Sequence, residues 1–387
     1  MMGLLKDMNT LQSSTNVSSP LIGAKVVEFK YGELFSGPGG LALGAMRSSV
    51  QKNGLNYRMS HAWSVDYEKD SCETFRRNIA SGNPGSVFCQ DVRTLDIESL
   101  GPIDAFAYGF PCNDFSIVGE QKGFGGVFGP LYTYGIRAID IYKPKFFVAE
   151  NVGGLASSDA GEALSTILRD LSASGDGYEV TAHKYRAEEY GVPQTRHRII
   201  IVGIDKSLGL HFEVPAPTHV GAYVSVRTAL EHPSIPADAA NRELKRQSSH
   251  VIERLKRIAP GENVWNADLP DHLKLNVKSG AKLSQIYRRL HPDRPSYTIT
   301  ASGGGGTHGY HYAEPRALTN RERARIQTFP DEHIFSGSIE SVRKQIGMAV
   351  PPALSKIIFT SILKTLAGIP YDAVGQNLRS HPLSRLL

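Results

Sequence analysis

A short apolar run that stops at a cysteine-containing loop constrains this chain's fold more than any other feature. Residues 103–108 predict a buried strand, and residues 109–112, which end in Cys112, follow it directly. In α/β enzymes the reactive groups lie in loops at strand ends. Five of the eleven residues 119–129 are glycine, which is more backbone freedom than a packed element needs and suits a segment that closes over a substrate. The pattern predicts Cys112 as a nucleophile under a mobile lid.

Strands and helices alternate along the first half of the chain, which predicts a doubly wound α/β domain. The predicted strands are residues 26–35, 61–66, 86–89, 103–108, 145–149, 178–184 and 199–203. The predicted helices are a first one from about residue 41, then residues 68–78, 131–142 and 162–173. Further along, the sequence predicts a strand at 297–300, a helix at 319–328 capped by Thr319, and a last helix from Gly347 to about Leu366.

Glycines and acids end the first three strands. The turn at residues 36–40 points backbone amides and a positive helix end at a cofactor, although such a turn can also be purely structural. Asp66 ends the second strand, where its carboxylate could accept from ribose hydroxyls beside an adenine stacked on Tyr67, or could cap the next helix. Asp91 ends the third strand and could accept from an adenine amino group.

Two further strand ends carry charged side chains. Glu150 follows the strand after that of Cys112, so both are expected at the same edge, as nucleophile and acid. Arg196 and Arg198 lie on one face of the next strand, where their guanidinium groups could hold a phosphate or orient a carboxylate. An exposed charge pair on an edge strand is the alternative for these arginines.

The α/β pattern is interrupted between residues 205 and 287, which predicts an inserted second domain with one basic helix at 242–258. The net charge of the chain is +5, and residues 205–300 hold 14 Lys/Arg against 10 Asp/Glu. This excess favours a polyanionic partner, although an ordinary solvated surface is also compatible with it.

Composition excludes several other classes of protein. No run of about 18 apolar residues is present, which argues against a membrane span, and the Ser/Thr/Asn-rich residues 10–19 do not resemble a secretory signal. Three cysteines, Cys72, Cys89 and Cys112, fit a reducing cytosol better than a disulfide framework. No cysteine and histidine spacing resembles a metal site.

Taken in order, the motifs resemble those of the DNA cytosine-5 methyltransferase family from about Tyr31 to Leu366. The resembling motifs are the cofactor turn Phe35-Ser36-Gly37-Pro38-Gly39-Gly40, the nucleophile motif Gly109-Phe110-Pro111-Cys112, the acid motif Glu150-Asn151-Val152, the arginine motif Gln194-x-Arg196-x-Arg198 and the closing motif Gly347-x-Ala349-Val350. Two positions depart from the family pattern: Asn113 replaces the more frequent Gln, and Met348 replaces the usual Asn.

The resemblance implies a fold, a reaction and a set of site residues. The fold is a Rossmann-like S-adenosylmethionine-dependent domain with a smaller, mostly irregular or β target-recognition domain. The catalytic residues it implies are Cys112, Glu150, Arg196 and Arg198, with no metal. The cofactor-binding residues it implies for S-adenosyl-L-methionine are Phe35, Ser36, Gly37, Gly39, Gly40, Asp66, Tyr67, Asp91, Val92, Pro111, Leu131, Met348, Ala349 and Val350.

The resemblance also implies a domain arrangement and partners. Residues 1–23 are a leader, 24–204 the catalytic and cofactor domain, 205–310 the target-recognition domain, 311–370 the return to the catalytic domain, and 371–387 a tail. The expected substrate is double-stranded DNA, methylated by a cytoplasmic, nucleoid-associated monomer that accompanies a cognate restriction endonuclease. Three alternatives remain at this stage: a tRNA cytosine methyltransferase with the same motifs, a nicotinamide oxidoreductase, and an inactive DNA-binding module.

Overall fold

The computed structural model of the protein describes residues 25–110, 131–156, 160–275, 285–303 and 306–378. Several predicted features lie outside these residues: the leader at 1–23, the residues Pro111, Cys112 and Asn113, and the predicted lid at 114–129.

The described elements alternate in the predicted α/β order. In chain order they are β1 (Lys25–Leu34), α1 (Gly40–Met46), β2 (Ser49–Lys52), β3 (Leu55–Asp66), α2 (Lys69–Asn78), β4 (Val87–Cys89), β5 (Ala105–Gly109), α3 (Tyr132–Tyr142), β6 (Phe146–Val152), α4 (Ala160–Ala173), β7 (Tyr178–Arg186), β8 (His197–Asp205), β9 (Val214–Pro215), α5 (Val226–Glu231), α6 (Ser249–Lys256), α7 (Asn320–Ile326), α8 (Ile339–Met348), α9 (Pro352–Ala367) and β10 (Ala373–Val374).

One eight-stranded mixed sheet forms the centre of the fold. Its order is β2-β3-β1-β5-β6-β8-β7, and β4 also pairs with β3. Strands β3, β1, β5 and β6 are parallel, whereas β8 runs antiparallel between β6 and β7. The carboxyl ends of β1, β3, β5 and β6 therefore meet at one edge of the sheet. The predicted Rossmann-like α/β fold class is confirmed.

Apolar side chains bury both faces of this sheet, as expected for its parallel part. One face packs on α1 and α9, with Phe359 among its fully buried residues. The other face packs on α3 and α4, through residues such as Phe147 and Ile167. Because each large apolar side chain contributes about 1.5–3 kcal/mol when buried, these two layers fix the strand ends that carry the site.

Helices α1 and α9 approach closely because two glycines face the partner. A Cβ on Gly40 would lie 2.4 Å from the carbonyl oxygen of Val350, and one on Gly44 would lie 2.3 Å from Oγ of Ser355. The Ser355 hydroxyl also donates to the carbonyl of Leu41 at 2.8 Å. The closing motif therefore packs beside the glycine turn.

Three local predictions need correction, and two elements were not predicted. The last helix begins at Pro352, and Gly347 instead lies near the end of α8, a helix that the sequence did not predict. The basic helix covers only Ser249–Lys256, because the Ser248 side chain caps it by accepting from the Val251 amide. Residues 297–300 form no strand. The chain there is held by an isolated bridge between Gln194 and Ser296. The hairpin of β2 and β3, with both turn residues Asn53 and Gly54 at positive φ, was also missed.

The region between β8 and α7 is irregular, as predicted, but the part that the structure describes holds only short helices, the two-residue β9 and isolated bridges rather than a β domain. Buried arginines hold it by donating to backbone carbonyls. Arg289 donates to the carbonyls of Leu255, Ile258 and His311 at 2.8–3.2 Å and also to that of Tyr312.

The stretch Ile339–Ala367 is long and apolar enough to cross a membrane by composition alone, but 72% of its most apolar window is buried. It comprises the two core helices α8 and α9. Beyond them, the end of the described chain docks on the sheet edge, where the Gln376 side chain accepts from the Ala182 amide of β7.

Candidate active site and cofactor site

The turn after β1 has the strained backbone expected where a loop wraps a ligand. Phe35, Gly37 and Gly39 all have positive φ, at 56°, 53° and 89°. The hydroxyl of Ser36 is buried and has no hydrogen-bond partner among the described residues, and a Cβ on Gly37 would face open space. An unsatisfied buried hydroxyl beside an open glycine fits a polar ligand at this turn.

Asp66 fastens this turn to the next strand. Its carboxylate accepts from the Gly37 amide at 2.8 Å and from the Glu68 amide at 2.9 Å. Burial raises the pKa of Asp66, and these two amides oppose the shift. The alternative interpretation as a helix cap is only partly right, since Glu68 is the N-cap residue of α2. Asp66 instead orients the glycine turn.

Two large apolar side chains lie exposed on the rim of the same turn. Tyr67 is 64% exposed and Met348 is 59% exposed. Met348 lies one helical turn beyond Lys344, which pairs with Glu68. Below this rim Ala349 is buried. Exposed apolar groups beside an unsatisfied polar turn suit a ligand with both an aromatic ring and polar groups.

The third predicted acid has a protein partner in this structure. Asp91 pairs with Arg93, whose Nε lies 3.0 Å from both carboxylate oxygens. The hydrogen bonds from Arg93 lower the pKa of Asp91. The neighbouring Val92 is buried. Asp91 is thus ionised and placed by Arg93, and its contact with an adenine remains a prediction.

Glu150 lies where the sequence predicted it, at the shared edge of β5 and β6. It is the register partner of Gly109, and a Cβ on Gly109 would lie 3.2 Å from Oε2 of Glu150. Nε of Arg198 lies 2.9 Å from Oε1 of Glu150, and both side chains are about 90% buried. Burial raises the pKa of Glu150, whereas Arg198 and then Arg196 lower it. The arginine therefore orients a carboxyl that can hold a proton.

Arg196 does not share this role in the structure. It is fully buried and donates to the carbonyls of Ile299, Gly347 and Ala349 at 2.9–3.0 Å. The expectation that both arginines lie on one face and grip a phosphate or a carboxylate needs correction for Arg196. Arg196 precedes β8, so strand alternation does not govern it, and its donors bind the backbone of the closing motif.

Two buried residues beside the site were not singled out from the sequence as site residues. The Asn151 amide group donates to the carbonyl of Phe110 at 3.2 Å, which anchors the chain two residues before Cys112. Its position directly after Glu150 was the available signal. Glu33 is 1% exposed under the cofactor turn and accepts from the Tyr31 hydroxyl at 2.8 Å. No sequence pattern distinguishes it from an exposed strand acid. Leu131, a predicted cofactor contact, is buried at the start of α3.

The fold and the site together define a Rossmann-like methyltransferase, and comparison with known proteins gives the family. The profile of the C-5 cytosine-specific DNA methylase family matches residues 29–364. The type II methyltransferase M.BbvI of Brevibacillus brevis is 56% identical over 90% of this chain and 94% of its own length. M.NgoFVII of Neisseria gonorrhoeae is 40% identical over 90% of this chain and 87% of its own. This chain belongs to the C-5 cytosine-specific DNA methylase family.

A solved structure supports the fold independently. A DNA modification methyltransferase encoded within an Escherichia coli prophage superposes with a TM-score of 0.66 at 23% identity, covering 87% of this chain and 99% of that one. The predicted family and activity are confirmed: the chain is a DNA (cytosine-5-)-methyltransferase of the type II kind found in restriction-modification systems. The oxidoreductase and tRNA alternatives are set aside. Family members use S-adenosylmethionine as methyl donor.

Proposed function

We propose that this chain transfers a methyl group from S-adenosylmethionine to carbon 5 of a cytosine flipped out of duplex DNA, with Cys112 as nucleophile and Glu150 as acid. The observation that carries this assignment is the buried pair of Glu150 and Arg198, held beside Gly109 at the sheet edge where β1 also delivers the cofactor turn. Two peptide units separate Phe110 from Cys112 and span at most about 7 Å, so the thiol is within reach of a base that contacts Glu150.

Covalent addition supplies the reactivity that cytosine lacks. The Cys112 thiolate forms a C–S bond to carbon 6, and the displaced ring electrons make carbon 5 an enamine carbon. When bound, S-adenosylmethionine would supply an electrophilic methyl group, whose bond to the sulfonium sulfur breaks as carbon 5 forms the new C–C bond, with S-adenosylhomocysteine as the leaving thioether. Once carbon 5 carries the methyl group, a general base removes the proton from carbon 5. The electron pair of that C–H bond re-forms the 5,6 double bond and expels the Cys112 sulfur as thiolate. The cytosine ring is restored, with one new C–C bond at carbon 5.

Glu150 stabilises the negative charge that this addition creates on the cytosine ring. A protonated Glu150 donates to ring nitrogen 3 and offsets the negative charge that develops on the ring. Arg198 fixes the carboxyl orientation by its bond to Oε1. Burial raises the pKa of Glu150 above its ordinary value, against the opposing effect of Arg198 and Arg196, which supports its role as a proton donor.

The residues around the glycine turn fit the cofactor. The free hydroxyl of Ser36 and the open space at Gly37 suit its polar tail, and Tyr67 and Met348 suit the adenine. Asp66 retains unused lone pairs for ribose hydroxyls, because a carboxylate accepts about four hydrogen bonds and two are made to amides.

Double-stranded DNA is the substrate, and the irregular region with its excess of basic residues recognises the target sequence. Because the target atom is inaccessible in a stacked duplex, the cytosine must be flipped out, which costs a few kcal/mol. The proposal includes a nearby-encoded restriction endonuclease with the same target, by analogy with the type II relatives. It also includes a cytoplasmic location and a monomeric state.

The central test compares Cys112→Ser with Cys89→Ser, a matched change at an exposed cysteine. We expect Cys112→Ser to abolish methyl transfer from labelled S-adenosylmethionine to plasmid DNA, because a hydroxyl is far less ionised than a thiol. Duplex DNA containing 5-fluorocytosine cannot lose the group at carbon 5, so wild type and Cys89→Ser should form a stable covalent complex with it, whereas Cys112→Ser should not.

Trapping of the Cys112→Ser variant would contradict the nucleophile assignment. A parallel incubation with tRNA tests the substrate, because efficient labelling of tRNA with none in duplex DNA would contradict the choice of DNA.

A further inference from the structure

Three basic side chains from three parts of the chain converge around Gly303 and residues 306–309. We call Lys245, Arg323 and Arg343 the basic cluster; the adjacent His308 is neutral, because burial, and then the three cations, lower its pKa to about 4. Arg343 extends from α8 and Arg323 from α7, whereas Lys245 precedes α6. None of them was singled out by the sequence patterns or used in the reaction proposed above.

Arg343 is the central member and has an unused donor. It is only 9% exposed, yet its Nε has no hydrogen-bond partner among the described residues. A Cβ on Gly303 would lie 2.8 Å from both Nε and the guanidinium carbon, so the backbone of Gly303 rests against this group. Burial of a guanidinium with an unsatisfied N–H costs free energy unless an anion accepts a hydrogen bond from that N–H.

Acids neutralise the cluster only in part. Within the described residues, no carboxylate lies within 4.0 Å of either Arg323 or Arg343, and Glu340 pairs with Lys245 at 3.1 Å. Arg323 is 4% exposed and donates to the His308 carbonyl. Burial lowers the pKa of Arg323 to about 10, with a further contribution from Arg343. The like charges therefore repel one another in the free protein.

The location favours DNA over a free anion. Ile299, four residues before Gly303, donates its amide to Gln194 and accepts from Arg196, so the segment leaves directly from the arginine motif beside Glu150. A Cβ on Gly347 would lie 2.2 Å from the Ala301 amide nitrogen, which ties the same segment to α8. A duplex whose cytosine reaches Glu150 would therefore bring its backbone toward this segment.

We propose that the basic cluster, with Arg343 at its centre, binds one backbone phosphate of the DNA near the flipped cytosine. This inference rests on the proposed function. Guanidinium groups bind phosphate oxygens through paired N–H donors, and a phosphate would accept from the unpaired Nε of Arg343 and neutralise an arginine that has no ion pair among the described residues. Arg343 is then a DNA-positioning residue rather than a member of the reacting set.

The test measures duplex binding by fluorescence anisotropy over a salt series, for the wild type, Arg343→Gln and Lys245→Gln. Each phosphate contact contributes about 0.9 to the slope of log K against log salt, so Arg343→Gln should lower the slope by about one and raise KM for DNA with kcat retained. Arg137→Gln, which removes an exposed arginine paired with Glu98, is the matched control and should leave the slope unchanged. Lys245 is exposed, so its variant keeps the test decisive if Arg343→Gln does not fold.

The outcomes separate the possible roles. An unchanged slope in both variants, with only a lower melting temperature, would make the cluster structural and overturn the proposal. Stabilisation by inorganic phosphate that Arg343→Gln removes, without a change in DNA slope, would mean a free-anion site and also overturn it. Failure of the wild type to methylate DNA would refute the proposed function instead, while the binding slopes still decide the phosphate site.

Discussion

Glu33 is a buried carboxyl directly beneath the cofactor turn, and its protonation links folding to pH. It accepts from the Tyr31 hydroxyl and from the Ala42 amide, and it faces the Asp66 carboxylate. Burial is the main reason that its pKa rises to about 8, with Asp66 contributing further. The native state therefore holds a proton that the unfolded state releases above pH of about 4.5.

Replacing Glu33 with Gln should remove this dependence. The native pKa is above the unfolded value, so the wild type loses stability as pH rises from about 4.5 to about 8, by at most about 1.4 kcal/mol per pH unit. Glu33→Gln keeps an acceptor for Tyr31 without titrating, so its advantage over the wild type should grow across that window. Urea unfolding at several pH values measures it, with the exposed Glu98→Gln as control. Parallel curves for Glu33→Gln and the wild type would contradict the buried-acid interpretation.

Glu150→Gln is the corresponding change in the proposed acid. We expect kcat to fall by about 10²- to 10⁴-fold, the usual contribution of a positioned proton donor, because an amide cannot deliver a proton to ring nitrogen 3. DNA affinity and cofactor affinity should be retained, since the side chain keeps its size. Single-turnover methylation at saturating DNA measures the chemical step. A variant with wild-type turnover would show that Glu150 only packs against Gly109.

The two arginines of one motif show where residue patterns stop being informative. The location of Glu150 at a strand end was predicted correctly, because an apolar run followed by an acid is a pattern formed by consecutive residues. The same spacing could not separate Arg198, which binds Glu150, from Arg196, which holds three backbone carbonyls. The difference is made by α8 and the 299–303 segment, which lie more than 100 residues away in sequence.

At the level of elements, the contact of α1 with the closing motif depends on Gly40. An alanine there would place its Cβ 2.4 Å from the Val350 carbonyl oxygen, and overpacking of this kind costs about 1–3 kcal/mol. We expect Gly40→Ala to lower stability and to weaken binding of S-adenosylhomocysteine in calorimetry. Gly82→Ala, where a Cβ meets nothing within 4 Å, is the matched control. Equal affinities of the two variants would show that the turn tolerates displacement of α9.

Elements defined by their own residues were predictable, whereas those defined by contacts were not. The Thr319 cap of α7 was predicted and is a complete capping box with Glu322. Helix α8 was missed because half of its surface is polar and its buried Arg343 and Gln345 do not mark an apolar stripe. Residues 297–300 have strand composition, but they bond to Gln194 and Arg196 side chains rather than to another strand.

On the scale of the whole molecule, the irregular region has its own small core and its own buried cations. Leu255, Val264 and Ile286 pack with Tyr310 and Ala317 in one cluster. The sequence boundary at residue 287 therefore divides a single packing unit. The packing of this region as one unit could not be predicted from the sequence. Side chains such as Arg254 donate to backbone carbonyls, and because every residue has such a carbonyl, these bonds leave no pattern in the sequence.

The last prediction concerns target specificity. It follows from the position of the boundary at residue 287 inside a single packing unit. Exchange of residues 205–287 with the matching region of a relative should give an unstable chimera, because Arg289, Tyr310 and Ala317 stay behind without the residues that they contact. Exchange of residues 242–317 carries the whole cluster and begins after Asn241, whose amide is bonded to Phe335 and Arg321 in the constant part. That chimera should fold, with a melting temperature near the parent's, and should methylate the donor's target.

The specificity assignment is tested on the larger chimera. Bisulfite sequencing of plasmid DNA from cells expressing each chimera reads the methylated site directly, and the constant part keeps Glu150, the cofactor turn and Cys112. Because any flipped cytosine satisfies those residues, only the base-reading side chains of the exchanged region can alter the target. An active 242–317 chimera that still methylates the parent's site would assign recognition elsewhere in the chain.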